Sequence, residues 1–185
     1  MLNIASNRKI YNPIQKDYVT FLKLSSETDG AYTLVEVELA DGGGVGLHYH
    51  QGFTETFECL EGALQVQLGN TMHTLQEGQS ATAELNVPHL FQNRSGKSCR
   101  FLCELRPASR GFEQSLQIGY GLARDGEADS KGFPKDKGVL AWLFMISESN
   151  LTGLKHLLEP LLRWQAKKAI LRGVDKAMIA RYVRF

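Results

Sequence analysis

Two histidines two residues apart, followed five residues later by a glutamate, stand in the stretch HYHQGFTE. Side chains at positions i and i+2 of a strand lie on the same face, so His48 and His50 can reach one point. The residues after His50 can turn the chain, which lets Glu55 at the start of the next strand lie beside both imidazoles. Two neutral imidazoles and a carboxylate are good ligands for a divalent first-row metal. The stretch therefore predicts a metal site.

A fourth ligand should come from elsewhere in the chain. Besides His48 and His50, the sequence contains three histidines, at positions 73, 89 and 156. His73 lies in a predicted hairpin, where we expect it to be exposed. His156 lies on a predicted helix, where a surface role is expected. His89 is the strongest candidate, because its stretch opens with a turn glycine, passes a proline and ends at Asn93.

Short strands separated by turn signals fill the sequence from residue 17 to residue 106. The stretch YTLVEVEL alternates apolar and acidic residues, as a half-buried strand does. The pair Asp29-Gly30 marks a turn, and Gly69-Asn70 supplies a two-residue hairpin turn. Many short strands at nearly even spacing, with no helical pattern between them, predict an antiparallel sandwich or barrel.

The patterns divide the chain into four segments. Residues 1–16 are predicted to be an N-terminal arm, 17–106 a β-barrel, 107–138 a loop or linker and 139–185 a helical extension. The linker is predicted from a stretch rich in glycine and charge. In the extension, leucines recur at spacings of three and four, which is typical of an amphipathic helix, and Pro160 is predicted to kink or divide it.

The helical extension is basic. From residue 163 onward it carries one acid, Asp175, and seven cations, namely Arg163, Lys167, Lys168, Arg172, Lys176, Arg181 and Arg184. A basic amphipathic segment can lie on a membrane surface. The alternative, which we favour, packs the leucines on the barrel or on a second subunit and leaves the charges in water. Membrane association is therefore not expected.

Composition narrows the class of protein. The 185 residues carry a formal net charge of +1, so no overall positive field gathers nucleic acid, and none is expected as a partner. The N-terminus lacks the apolar core of a signal peptide, and no apolar run reaches the length of a membrane span. Three cysteines fit neither a disulfide framework nor a CxxC metal site, so we expect a reduced, cytoplasmic protein with buried thiols.

Two stretches resemble the paired motifs of the cupin superfamily. Every fixed position of the first motif is matched, by Gly42, His48, His50, Glu55 and Gly62. The second motif is matched by Gly78, His89 and Asn93, while Glu84 and Asn86 replace a proline and a glycine. Asparagine can adopt the left-handed conformation that glycine would supply. The resemblance implies an all-β fold, the double-stranded β-helix or jelly-roll barrel of cupins, here with C-terminal α-helices.

The resemblance also implies a function. His48, His50, Glu55 and His89 would bind one divalent ion, which could be Fe, Mn, Ni, Co or Zn, and Glu55 could serve as the catalytic base. A metal-dependent enzyme acting on a small organic molecule is the leading hypothesis, with an oxygenase first and an isomerase or lyase second. The alternative is a binding or sensing module without chemistry. Cupins also suggest a homodimer formed through sheet edges, with residues 1–20 crossing over.

Other side chains are predicted to line a substrate pocket. Phe57 shares the strand parity of Glu55, and Phe91 shares that of His89, so with Phe101 they could form an apolar wall over the metal. Simple core packing is the alternative for each phenylalanine. Glu104 and Arg106 share one face of the last strand and could orient a substrate, or form a rim salt bridge.

Overall fold

Nine strands precede four helices in this computed structural model, which describes residues 8–150, 152–153 and 158–185. The strands are β1 (Lys9–Asn12), β2 (Asp17–Lys23), β3 (Thr33–Leu39), β4 (Thr54–Glu61), β5 (Ala63–Leu68), β6 (Thr71–Gln76), β7 (Ser80–Ala83), β8 (His89–Gln92) and β9 (Cys99–Arg106). The helices are α1 (Arg110–Arg124), α2 (Lys137–Ile146), α3 (Glu159–Leu171) and α4 (Val174–Tyr182), and a short 3-10 helix spans Ser25–Glu27.

The strands form two antiparallel sheets around a common core. The larger sheet has the order β1-β2-β3-β9-β4-β7, and the smaller has the order β6-β5-β8. Phe57 and Phe101 of the larger sheet share one buried cluster with Leu64 and Val66 of the smaller. The prediction of packed antiparallel strands is confirmed. The predicted N-terminal arm contributes β1, which pairs with β2 of the same chain.

Alternation along each strand decides which side chains reach the core. On β9, Cys99, Phe101, Cys103 and Leu105 are buried, while the residues between them face outward. On β4, the residues at positions 55, 57 and 59 are buried in the same way. This period of two gives the larger sheet one apolar face toward the core and one face toward solvent.

Two turns follow the local chemistry of their residues. Leu68 pairs with Thr71 across Gly69-Asn70, so the predicted two-residue hairpin turn is confirmed, with Gly69 at φ 58°. Asn86 has φ 64°, which is the left-handed conformation expected where the motif commonly has glycine. Asparagine therefore shapes this loop just before His89.

The segment 107–138 is not wholly a loop, because it contains helix α1, and the prediction is corrected there. The side chain of Ser109 caps the helix by accepting a hydrogen bond from the Phe112 amide. Two glycines of the helix allow close packing. A Cβ at Gly111 would lie 2.1 Å from the Ile146 carbonyl oxygen, and one at Gly121 would lie 2.2 Å from the Tyr182 ring.

The remaining helices pack on α1 around a second apolar cluster, which includes Ile118, Trp142 and Ala166. Helix α3 begins at Glu159, with Pro160 in its first turn, where the missing N–H has no intrahelical partner. Helix α2 ends well before this proline, at Ile146, and residues 154–157 just ahead of α3 lie outside the described residues, so a kink or division at Pro160 stays a prediction. Within the described part of the chain, no helix is both long enough and apolar enough to cross a bilayer.

Candidate metal centre

Backbone pairing brings the motif residues together. The chain from Gly44 to His50 runs beside β8, with bridges between Gly44 and Gln92 and between His48 and His89. The His48 amide donates to the His89 carbonyl at 3.0 Å, and the His89 amide donates to the His48 carbonyl at 2.7 Å. Glu55 reaches the same place from β4 of the larger sheet. The four side chains therefore meet between the two sheets.

The ligand atoms of His48, His50, Glu55 and His89 all lie within 4.8 Å of one another, close enough to hold one metal ion. Nε2 of His89 is 2.9 Å from Oε2 of Glu55, and Nε2 of His50 is 3.6 Å from the same oxygen. His50, Glu55 and His89 are buried, whereas His48 is half-buried. His48 is therefore the least buried of the four residues.

Each histidine is anchored through its other ring nitrogen to a backbone carbonyl. Nδ1 of His48 lies 2.8 Å from the Gly46 oxygen, Nδ1 of His89 lies 2.9 Å from the Val87 oxygen, and Nδ1 of His50 lies 3.1 Å from the Glu148 oxygen. Because a carbonyl can only accept, each Nδ1 carries the proton. A neutral ring then has its lone pair on Nε2, as a metal ligand requires.

One further observation indicates that these residues suit a metal ion. Nε2 of His50 is buried, and no hydrogen bond to it is found within the described residues. A buried nitrogen without a partner costs free energy, which an ion at the centre of the cluster would offset. Three imidazoles and a carboxylate suit several first-row divalent ions.

A family model for the cupin domain matches residues 35–103, which include all four ligand candidates. Residues 35–103 form a cupin domain. The resemblance seen in the motifs is thereby confirmed. No curated protein matches the chain.

Several solved structures align with part of this chain. KdgF from Halomonas sp. shares 14% identity, covering 58% of this chain and 93% of that one, with a TM-score of 0.49. TT1209 from Thermus thermophilus shares 25% identity over 55% and 91%, with a TM-score of 0.48. A predicted oxalate decarboxylase from Thermotoga maritima shares 20% identity over 49% and 80%, with a TM-score of 0.47.

Electrostatics in the cupin domain favour an ionised Glu55 beside a neutral His48, whereas for His89 burial is outweighed by the hydrogen bond and charge of Glu55, which raise its pKa. Burial by itself would raise the pKa of Glu55, but the neighbouring His50 and the hydrogen-bonded His89 hold that pKa well below its ordinary value. Burial and the charge of His89 lower the pKa of His48 to about 4. His48 is therefore neutral at physiological pH, and its Nε2 is free to coordinate.

A buried thiol also touches the cluster. Sγ of Cys103 donates a hydrogen bond to Oε1 of Glu55 at 3.4 Å, and burial and the Glu55 charge raise the pKa of this thiol well above its ordinary value. The sequence predicted buried thiols, and all three are free and buried. Because Cys103 engages Oε1, it leaves Oε2 directed at the histidines.

We expect Cys103→Ala to weaken metal binding about tenfold, since outer hydrogen bonds to ligands contribute effects of this order. Cys103→Ser keeps a donor and should bind within about threefold of wild type. Cobalt(II) titration against a competing chelator measures both. Equal affinity in Cys103→Ala and wild type would show that the thiol only fills space.

The predicted apolar wall is part of the core. Phe57 and Phe101 are fully buried, and Phe91 is half-buried. Ring centroids are 5.8 Å apart for Phe57 and Phe91 and 5.1 Å apart for Phe91 and Phe101, while Phe57 lies 6.2 Å from the His89 ring. The three rings fill the space beneath the cluster, so a bound molecule would have to approach from the His48 side.

Glu104 and Arg106 do not belong to the site, and this prediction is corrected. Both lie on the outward parity of β9, opposite to Phe101 and Cys103. They form an ion pair at 2.6 Å, and Arg106 also stacks over the Tyr32 ring. The rim salt bridge that the sequence left as an alternative is what the structure contains.

Residues far along the chain, which sequence reasoning missed, support His50. The Glu148 carbonyl, just after α2, accepts from His50 as described, and Nδ2 of Asn150 donates to the same carbonyl oxygen at 2.9 Å. Phe53 stacks on the His50 ring at 4.2 Å, and Phe112 of α1 meets it edge-on at 6.5 Å. No local spacing signals Glu148, because its contribution is a backbone carbonyl.

Proposed function

We propose that this protein is a metal-dependent cupin enzyme that acts on a small organic molecule. The observation that carries the proposal is the convergence of three Nδ1-anchored histidines and one carboxylate, with ligand atoms within 4.8 Å. Four protein ligands leave one or two positions of a five- or six-coordinate ion open, unlike a closed structural zinc site. An oxygenase is the first reaction class and an isomerase or lyase the second.

A bound metal would polarise a coordinated substrate oxygen and, if redox-active, could bring dioxygen beside it. His48, His50, Glu55 and His89 would hold the ion. Glu55 is held ionised, and if its Oε2 left the ion during turnover it could instead accept a proton from a substrate carbon or hydroxyl. The aromatic rings beneath the cluster exclude water from that side and limit the substrate to a small molecule approaching past His48.

The test is elemental analysis of tag-free wild type, His50→Ala and, as a matched control, His73→Ala, which alters an exposed histidine. We expect about one equivalent of a first-row metal in wild type and in His73→Ala, and almost none in His50→Ala. Oxygen uptake with small phenols, enols and diketones then separates an oxygenase from the other classes.

The alternative function is capture or sensing of a small ligand without chemistry. If wild type holds no stoichiometric metal even after reconstitution, the enzyme proposal fails and the binding module replaces it. If metal is present and no turnover occurs across substrate classes, tight metal-dependent binding of one of the tested compounds would favour the sensing function.

A further inference from the structure

Helix α3 leaves an apolar side uncovered. Leu158, just before the helix, and Leu161 are each 50% exposed, Trp164 is 57% exposed and Leu171 is 88% exposed. Their spacings of three, three and seven place them along one side of a helix. Of the two partners expected for the leucines of this segment, the barrel does not cover Leu158 and Leu161, since α3 packs inward through Ala166 and Ala169.

The same side of α3 is positively charged. Arg163, Lys167, Lys168 and Arg172 are exposed, and no ion pair with another described residue engages them. Glu159 is the one acid of this helix, and it is half-buried. The Lys168 ammonium lies 5.0 Å from the centre of the Trp164 ring. Apolar and cationic groups therefore alternate across one surface.

A cleft adjoins this surface between the start of α2 and the last turns of α3. It has a volume of about 450 Å³, and its walls include Lys135, Lys137, Lys168 and Arg172 beside Trp164. Asp136 is the one acid among the residues that line it, and its carboxylate caps α2 through the Gly138 and Val139 amides. The cleft is thus suited to a phosphate group carried by an amphipathic molecule.

We propose that this surface docks on anionic lipid membranes. The exposed side chains of Leu161, Trp164 and Leu171 enter the headgroup boundary, and the cations around the cleft bind lipid phosphates. Thirteen residues of helix measure about 20 Å, shorter than the roughly 30 Å of a bilayer core, so α3 lies in the plane of the interface. This inference does not depend on the proposed metal chemistry.

A second copy of the chain fits the surface less well. Twofold dimers bury the same patch on both subunits, which would bring Lys167, Lys168 and Arg172 of one copy against those of the other. Like charges in a partly desolvated interface repel. An anionic lipid surface has the opposite charge and no such cost.

The experiment is co-sedimentation of the full chain with vesicles of phosphatidylcholine alone and of phosphatidylcholine with about 30% phosphatidylglycerol. We expect binding to the anionic vesicles only. Lys168→Gln combined with Arg172→Gln should weaken it about 30-fold, since each cation near the surface contributes about fivefold. The matched control is Arg94→Gln with Lys97→Gln, which removes two exposed cations from a loop of the cupin domain.

Leu161→Ser combined with Leu171→Ser tests the apolar contribution and should also abolish vesicle binding. Met72→Ser with Leu85→Ser, at 45% and 46% exposed positions, is its control. Thermal melting verifies that each variant folds. Of the two tryptophans, Trp142 is 4% exposed, so a blue shift of emission on adding anionic vesicles to unmutated protein reports Trp164 directly.

Absence of vesicle binding by wild type, or equal binding by all variants, would overturn the proposal. So would sedimentation velocity showing a dimer that Leu161→Ser with Leu171→Ser converts to a monomer, because the surface would then be a subunit interface.

Discussion

Replacing Asp17 by asparagine should stabilise the protein at pH 8 and leave its stability at pH 4 almost unchanged. Asp17 is 1% exposed, and Oδ2 accepts a hydrogen bond from the Tyr120 hydroxyl at 2.5 Å. Oδ1 is buried, without a hydrogen-bond partner among the described residues. Burial, partly opposed by the Tyr120 hydrogen bond, raises the pKa of Asp17 from 3.8 to about 7.

The sign of the stability change follows from the pH at which Asp17 loses its proton in the folded and in the unfolded chain. An unfolded chain releases it near pH 4, whereas the folded chain retains it until about pH 7. Between these values the folded state binds the extra proton, so stability falls as pH rises through this window, by up to about 4 kcal/mol. Asparagine keeps an oxygen for Tyr120 and cannot ionise, so the variant should not show this loss.

Urea denaturation of wild type and Asp17→Asn at pH 4, 5, 6, 7 and 8 measures the effect. Groups far from Asp17 titrate alike in both proteins, so their contribution cancels when one free energy of unfolding is subtracted from the other. Asp29→Asn is the control, because Asp29 is exposed and asparagine tolerates its φ of 50°. Parallel stability curves for wild type and Asp17→Asn would contradict the expectation.

Rebuilding the turn after α2 should weaken metal binding by about 10- to 100-fold, the size of effect that outer partners of metal ligands produce. Glu148 has φ 53°, and its carbonyl oxygen accepts from both His50 and Asn150. Proline fixes φ near −65°, so Glu148→Pro must move that carbonyl. His50 then loses the partner that orients its ring.

Glu148→Gly is the matched control, since glycine adopts the same φ without strain and keeps the carbonyl in place. It should bind cobalt(II) within about threefold of wild type. The side-chain amide of Asn150 donates to the backbone oxygens of Glu148 and Tyr49, and Asn150→Ala removes both hydrogen bonds. This variant serves as a second test if Glu148→Pro unfolds. Wild-type affinity in both Glu148→Pro and Asn150→Ala would show that the extension does not position His50.

Three of the four ligand candidates were readable from sequence because their arrangement is local, whereas His89 was reached through its own motif. His48 and His50 share a face through strand periodicity, and the ring at His89 is brought beside His48 by backbone pairing. Glu104 and Arg106 show the limit of the same rule. They lie at odd separations from Phe101 and Cys103 on one strand, so they face away from the core that those residues enter.

Helix α1 was missed for a different reason. Its glycines at positions 111, 119 and 121 lower intrinsic helix propensity, and only packing explains two of them. Gly111 lies against the Ile146 carbonyl and Gly121 against the Tyr182 ring, contacts with residues more than thirty positions away. Tertiary contacts of this kind override local preference and leave no periodic signal.

By itself, the sequence determined the antiparallel strands, because side-chain periodicity and turn chemistry act over a few residues, and its two cupin-like motifs indicated the four ligand candidates. Tertiary structure alone decided which carbonyl orients His50, which thiol holds Glu55 and which side of α3 stays exposed. These depend on backbone atoms and surfaces brought together from segments some fifty to a hundred residues apart, for which residue types along the chain carry no local pattern.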